Sequence, residues 1–402
     1  MTVRAFRLSP GLKVASGLFL VVWSVIAAFP LVWTALMSFR LPLDALSSDP
    51  MAVILGPVTL ARAGGVSVVD LVAVAVAAIA AWWLPARHGA AGARLLAVGG
   101  MEPLGWVLAA LLYAVALGIV GLLVLPPLVG LVETIVGVLP LVGGLARPVV
   151  GFTGEHYEAV WIARGFHKEF VNSITLTVGV VVVSLSVGTL AGYGLARART
   201  PIAFWILVTA LIFRALPHSV LVAGYLPPFL NSHEILQPLW EMPVLGPVLG
   251  LFSDTAPTLY GQPWAVVLVL VAINQPFTIW MLRSFFLSVP TELDEAARVD
   301  GCSQFGAFWR VIVPVMWPGV ITTGLFSFLL AYNDYLVTSL LLDQANKTMV
   351  PAISQFLGSD NTTTDQIQAV AAAVSVTAPL FLLVMVFQRQ IVSGLTLGAV
   401  KG

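Results

Sequence analysis

The chain has 402 residues, 59% of them hydrophobic and only 9% charged, with a formal net charge of zero. Soluble domains run near a quarter charged, so this chain cannot clothe an aqueous surface, and lipid must be its solvent. There is no basic face for nucleic acid. The single cysteine, Cys302, excludes a disulfide framework and a multi-cysteine metal site.

The N-terminus reads Arg4, Arg7, Lys13 and then an apolar run to Phe39. The run is too long for a signal-peptide core and has no small-residue cleavage site, so it reads as a retained first span. A spanning helix needs about 20 apolar residues. Eight segments qualify: 14–38, 66–84, 104–125, 171–196, 202–226, 264–287, 316–340 and 369–392. Two further apolar stretches, 126–150 and 235–252, are interrupted by Pro and Gly and read as interfacial or re-entrant segments.

Lys and Arg favour the cytoplasmic side. With a cytoplasmic N-terminus, twelve fall inside (Arg4, Arg7, Lys13, Arg87, Arg94, Arg197, Arg199, Arg283, Arg298, Arg310, Arg389, Lys401) and six outside. The expected protein is multi-pass with both termini cytoplasmic. Arg214 falls within the fifth span, where a charge needs a partner or water. Asp334, in the outer part of the seventh span, is one candidate partner.

Between the sixth and seventh spans stands TELDEAARVDG, 291–301, which gathers Glu292, Asp294, Glu295 and Asp300, four of the nineteen acids. A short helix over 289–302 follows from local chemistry. Pro290 cannot extend the preceding helix, Thr291 can cap with Asp294 as its capping-box partner, and Gly301 can end the helix left-handed. Glu292, Glu295, Ala296 and Val299 then share one face. Those residues alone fit either a solvated connector or a helix docked to a cytoplasmic partner.

Tyr332, Asn333, Asp334 and Tyr335, with Asn274, Gln275 and Trp280 of the sixth span, offer the hydrogen bonds and aromatic faces a sugar uses; an interfacial aromatic belt is the alternative. The outer segment 342–368 is the longest polar stretch. The histidines form no metal-ligand spacing, no catalytic constellation is legible, and no Gly-rich phosphate loop with its Lys is present.

EAARVDG, with Pro314 of VIVP thirteen residues after Gly301, resembles the EAA loop of ABC-importer permease subunits, Val313 standing where Leu is usual. FVNSITLTVG (170–179), GYGLARAR (192–199), GLFSDTAPTLY (250–260) and AYNDYLVTSLL (331–341) follow in the family's order, with Tyr332 where Trp is usual. The tail FQRQIVSGLTLGAVKG resembles that of the maltose-transporter-type subunit. The likeness covers roughly 10–40 and 165–402.

This resemblance implies an all-α polytopic membrane protein: a six-helix type I importer core plus two inserted spans, about eight in all. The divisions are 1–44, an insertion at 45–150, and a core at 151–402 with the EAA loop at 289–318 and a tail at 393–402. It implies a non-enzymatic permease subunit in a bacterial inner membrane, importing a sugar such as maltose, trehalose or another glucoside by alternating access. A polyol, glycerol phosphate, or ion-coupled secondary transport are the alternatives. The implied partners are a second permease subunit, two ATPase subunits carrying ATP and Mg, an extracytoplasmic solute-binding protein and membrane lipid; this chain binds no cofactor or metal. Coupling is implied for Glu295, Ala296, Ala297, Asp300, Gly301 and Pro314, and tail contact for Gly394, Thr396 and Lys401. The outer loop 342–368 is implied to reach the binding protein.

Overall fold

A computed structural model describes residues 10–96, 102–140, 142–198, 201–214, 218–358 and 362–399. Helix dominates, as it must where no water can satisfy backbone groups. The principal helices are α1 (Pro10–Ser38), α2 (Val68–Leu95), α3 (102–138), α4 (Phe166–Arg197), α5 (Pro201–Arg214), α6 (His218–Leu230), α7 (Pro263–Phe286), α8 (Glu292–Val299), α9 (Gln304–Val315), α10 (Trp317–Tyr332), α11 (Leu336–Leu341) and α12 (Thr363–Ala399).

Among the described residues, six helices are long and apolar enough to cross a membrane, within α1, α2, α3, α4, α7 and α12. The pair α9 and α10, bent by 78° at Met316, makes a seventh if counted as one span. Two of the expected eight take a different form among the described residues. The fifth, 202–226, is represented by α5 and α6, of 14 and 13 residues, on either side of the undescribed stretch. Residues 215–217 between them lie outside the described set. The seventh, 316–340, ends at Tyr332, and α11 resumes after the turn at 333–335.

The stretch 126–150 also differs from expectation, because α3 continues through Pro126 and Pro127 to Val138. A π-turn at Val120–Val124 precedes the prolines, with Leu125 N–H donating to Val120 O. That widened turn loosens the ladder where two backbone donors are missing, so the helix absorbs what would otherwise break it. Residues 235–252 form two short helices, Ser232–Trp240 and Gly246–Leu249.

The chain falls into two compact units. The first comprises 1–74, 127–164 and 356–375. Its centre is Arg40, 2% exposed. Arg40 Nε donates to Val53 O at 2.9 Å and Nη2 to Ile54 O at 2.6 Å, and Nη1 donates to Gly151 O. His156 Nε2 lies 3.0 Å from Arg40 O. Burial draws the Arg40 pKa down from its usual value, with Asp44 working the other way. Asp44 in turn accepts from Thr59 N at 2.6 Å and Thr59 Oγ1 at 2.7 Å. An antiparallel ladder of β1 (Gly65–Ser67) and β2 (Pro148–Gly151) pairs Gly65 with Gly151 and Ser67 with Pro148. It therefore joins the two ends of the stretch 68–147.

The second unit comprises 75–126, 165–355 and 376–402. Helices α4, α7 and α10 pack together at its centre. One apolar cluster includes Leu176, Val180, Leu270, Val271 and Ala331; another includes Leu282, Phe286, Phe308, Ile312 and Val320. Small residues let α4 and α7 approach, as in membrane helix packing generally. A Cβ on Gly188 would stand 2.6 Å from Thr278 Cγ2, and one on Gly192 3.0 Å from Leu282 Cβ.

The polar segment after α11 is tied down rather than free. Asn172 Nδ2 donates to Lys347 O at 3.0 Å, Met349 N to Ser173 Oγ at 2.8 Å, and Asn346 Nδ2 to Gly261 O at 2.9 Å. A short helix, Met349–Ser354, follows. Helix α12 begins at Thr363, before the expected 369.

Candidate functional site

Helix α8 spans Glu292–Val299 and has Glu292, Asp294 and Glu295 in its first turn, where the helix dipole favours acids. The expected capping box is not formed. Thr291 has helical dihedrals and makes no side-chain cap, and the Asp294 carboxylate is engaged by Arg197 and Tyr193 instead. The C-terminal end is as expected. Gly301 has φ 89°, Gly301 N–H donates to Arg298 O at 3.1 Å, and Cys302 N–H to Ala297 O at 3.0 Å. This is the paired bonding of a Schellman stop, which needs a residue free to take positive φ.

Two faces of α8 differ in chemistry. Glu292, Glu295, Ala296 and Val299 are all exposed, Val299 at 87%, whereas Ala297 is buried at 5%. Glu295, Arg298, Val299, Cys302, Ser303 and Gln304 line an open groove of about 750 Å³. Asp300 is exposed at the end of the helix, and Pro314 is exposed in the last turn of α9.

The inward face carries contacts that sequence reasoning missed. Arg197 Nε donates to Asp294 Oδ2 at 2.8 Å, with Nη2 2.7 Å from the same oxygen. Tyr193 donates its hydroxyl to Asp294 Oδ1 at 2.5 Å. Arg197 Nη1 donates to Phe286 O and Val289 O at 3.3 and 3.2 Å, carbonyls at and just beyond the α7 C-terminus. Arg283, on α7, donates through Nε to Leu195 O at 3.3 Å. The ends of α4 and α7 thus cap one another, each Arg serving a carbonyl in the last turn of the other helix. GYGLARAR holds Tyr193 and Arg197; the motif was visible, but not its partner.

The polar residues expected along a solute path are placed unequally. Asn274 is 1% exposed and donates to Ser327 Oγ at 2.8 Å, joining α7 to α10. Gln275, half-buried, donates to Ser184 O of α4 at 3.3 Å. Tyr332, 3% exposed, donates to Met349 Sδ at 3.5 Å. Asn333 and Tyr335 are exposed at the turn after α10. The proposed Arg214–Asp334 pair is not formed. The Arg214 guanidinium lies over the Phe277 ring, 4.9 Å from its centroid, while Asp334 Oδ1 accepts from Thr338 N at 2.9 Å. Cation–π contact over an aromatic face is the available compensation for Arg214. Gly394 and Thr396, expected in a tail at 393–402, belong to the helical backbone of α12; Lys401 lies outside the described residues.

Comparison with known proteins bears on the stretch that contains these elements. Residues 184–396 match the family model described as "binding-protein-dependent transport system inner membrane component". The chain is 32% identical over 251 residues to the trehalose transport system permease protein SugB of Mycobacterium tuberculosis, covering 62% of this chain and 82% of the relative. It is 32% identical over 252 residues to the diacetylchitobiose uptake system permease protein DasC of Streptomyces coelicolor, covering 62% and 81%. A crystal structure of a bacterial ABC transporter that imports the polysaccharide alginate aligns with a TM-score of 0.45 and 20% identity, over 70% of this chain and 96% of that one. The family match spans more than half of the chain and begins beyond the stretch 68–147. This chain belongs to the family of inner membrane components of binding-protein-dependent transport systems.

Proposed function

We propose that the chain is one permease subunit of an ABC importer for a carbohydrate, and that α8 is the helix through which partner ATPases move it. The observation that carries this reading is the two-faced α8: Glu295, Ala296 and Val299 are presented outward beside an open groove while the opposite face is fastened to the membrane helices. A helix built only as a connector has no need of both.

In this reading the two ATPase subunits bind ATP and Mg and close on each other, carrying α8 with them. Glu295 meets a basic or donor group in the ATPase cleft. A charge-assisted hydrogen bond at such a contact is worth about 1.5–3 kcal/mol. Small Ala296 allows close approach, Ala297 seats the helix on its own subunit, Asp300 and Gly301 shape the stop, and Pro314 precedes the bend into α10. The C-terminal end of α12, with Gly394 and Thr396, reaches toward the same partners, and Lys401 in the tail beyond it is proposed to add a contact. Both termini lie in the cytoplasm, as the Lys and Arg distribution favours.

A second permease subunit completes the path, and an extracytoplasmic binding protein delivers the solute near the 342–368 segment. Relatives named for trehalose and diacetylchitobiose favour a di- or oligosaccharide. Gln275, Asn333, Asp334, Tyr335 and Arg214 are the candidate contacts; buried Asn274 and Tyr332 hold the helices that present them.

Affinity purification from membranes, followed by reconstitution with the binding protein, tests the reading. Co-isolation of an ATPase and a second permease, with ATP-dependent uptake of a labelled sugar, is the expected result. Uptake by this chain alone, driven by an ion gradient, would contradict it.

A further inference from the structure

We propose that Arg197 is a positioning residue that makes α4, α7 and α8 move as one body, so that displacement of α8 reaches the membrane core undiminished. The proposal rests on the coupling role given to α8 above and adds what holds α8 from behind.

Helix α8 has only eight residues. It is joined to α7 through a short connection ending at Thr291 and to α9 through Gly301 with its positive φ. A short rod held by two flexible ends would pivot when pushed. Apolar contacts of Val289 and Leu293 with Phe285, Phe286 and Phe308 resist that pivot without fixing its direction.

The guanidinium supplies direction. Nε and Nη2 grip Asp294 of α8, while Nη1 reaches Phe286 O and Val289 O at the end of α7. Arg197 itself is the last residue of α4. One planar group therefore touches all three elements, and Tyr193 holds the second carboxylate oxygen. The Arg197 and Asp294 side chains are 18% and 15% exposed, so solvent and salt screen the pair weakly. Lys could replace the charge but not the fork that bonds in several directions at once. The reciprocal bond from Arg283 to Leu195 O closes the joint from the α7 side.

The test uses the complete reconstituted transporter and three readouts: co-purification of the ATPase, ATP hydrolysis, and sugar taken up per ATP hydrolysed. Asp294→Asn and Arg197→Gln are expected to retain the ATPase and its hydrolysis while uptake per ATP falls on the order of tenfold. The double variant is expected to lose no more than the worse single one, since both remove the same link. Arg197→Lys should fall between Arg197→Gln and the native protein. Asp294→Asn preserves shape and guards against a folding defect in the Arg197 variants.

Glu295→Lys separates the two claims, because it should lose the ATPase itself. Native uptake per ATP in Asp294→Asn and Arg197→Gln, with Glu295→Lys inactive, would overturn the clamp and leave the coupling role of α8 standing. Additive losses in the double variant would overturn it too. Native uptake in Glu295→Lys would overturn the coupling role of α8.

Discussion

Asp294 and Glu295 are adjacent in the chain and serve opposite sides of one helix. Asp294 turns inward to accept from Arg197 at 2.8 Å, and Glu295 turns outward to line the open groove. A helix rotates about 100° per residue, so two neighbouring carboxylates can belong to different contacts. The division gives one acid to the chain's own frame and leaves the next for the partner proposed above.

Glu295→Lys and Gly301→Asp are expected to reach the membrane at native levels and to abolish uptake. The first reverses the charge at the proposed ATPase contact. The second forces an L-residue to φ 89°, costing roughly 1–3 kcal/mol and displacing the helix stop. Immunoblots of isolated membranes beside uptake assays check both; normal uptake with either variant would count against the role of α8.

Gly192→Leu should separate α4 from α7. Even a Cβ at this position stands 3.0 Å from Leu282 Cβ and 3.1 Å from Arg283 N, and backbone cannot yield as a side chain can. Overpacking of this kind costs about 1–3 kcal/mol. A lower melting temperature in detergent is the expected outcome; unchanged melting would show that the two helices have slack.

Arg40→Ala should loosen the first unit. It leaves the carbonyls of Val53, Ile54 and Gly151 without their donor. A buried acceptor stripped of its partner costs about 1–3 kcal/mol. Faster proteolysis within 45–67 and 148–157 is expected, while α4, α7 and α10 remain resistant. Equal rates for variant and native protein would contradict the central place given to Arg40.

Residues 68–147 should be removable as a piece. The ladder pairs Ser67 with Pro148, so a two-residue Asn-Gly turn can close the gap. Two spans leave together and the sidedness of the rest is kept. The shortened chain is expected to insert and to support uptake; normal insertion with lost uptake would assign the inserted helices a part in transport.

Lipid-spanning helices were legible because composition and apolar run length report the solvent directly. The stop at Gly301 was equally legible, since it depends on residues within one turn. Three features were hidden for physical reasons. The prolines at 126 and 127 signal a break, yet a π-turn a few residues earlier accommodates them. The β1–β2 ladder joins three- and four-residue strands about eighty residues apart, too short to carry a pattern and too distant to pair on paper. Asp294 reads locally as a capping partner for Thr291, but a charged partner 97 positions away outcompetes a backbone cap. The Arg214–Asp334 pair failed for the converse reason: spans can be placed from sequence, while the rotation that brings two side chains together cannot.

The most direct measurement labels the outward face of α8 in the intact complex. Val299→Cys, made with Cys302→Ser, places one thiol on that exposed face. This thiol is expected to resist a membrane-impermeant maleimide added to whole cells and to cross-link to the ATPase subunit when the cells are opened. Labelling from outside, or a purified complex in which the thiol stays free beside a bound ATPase, would contradict it.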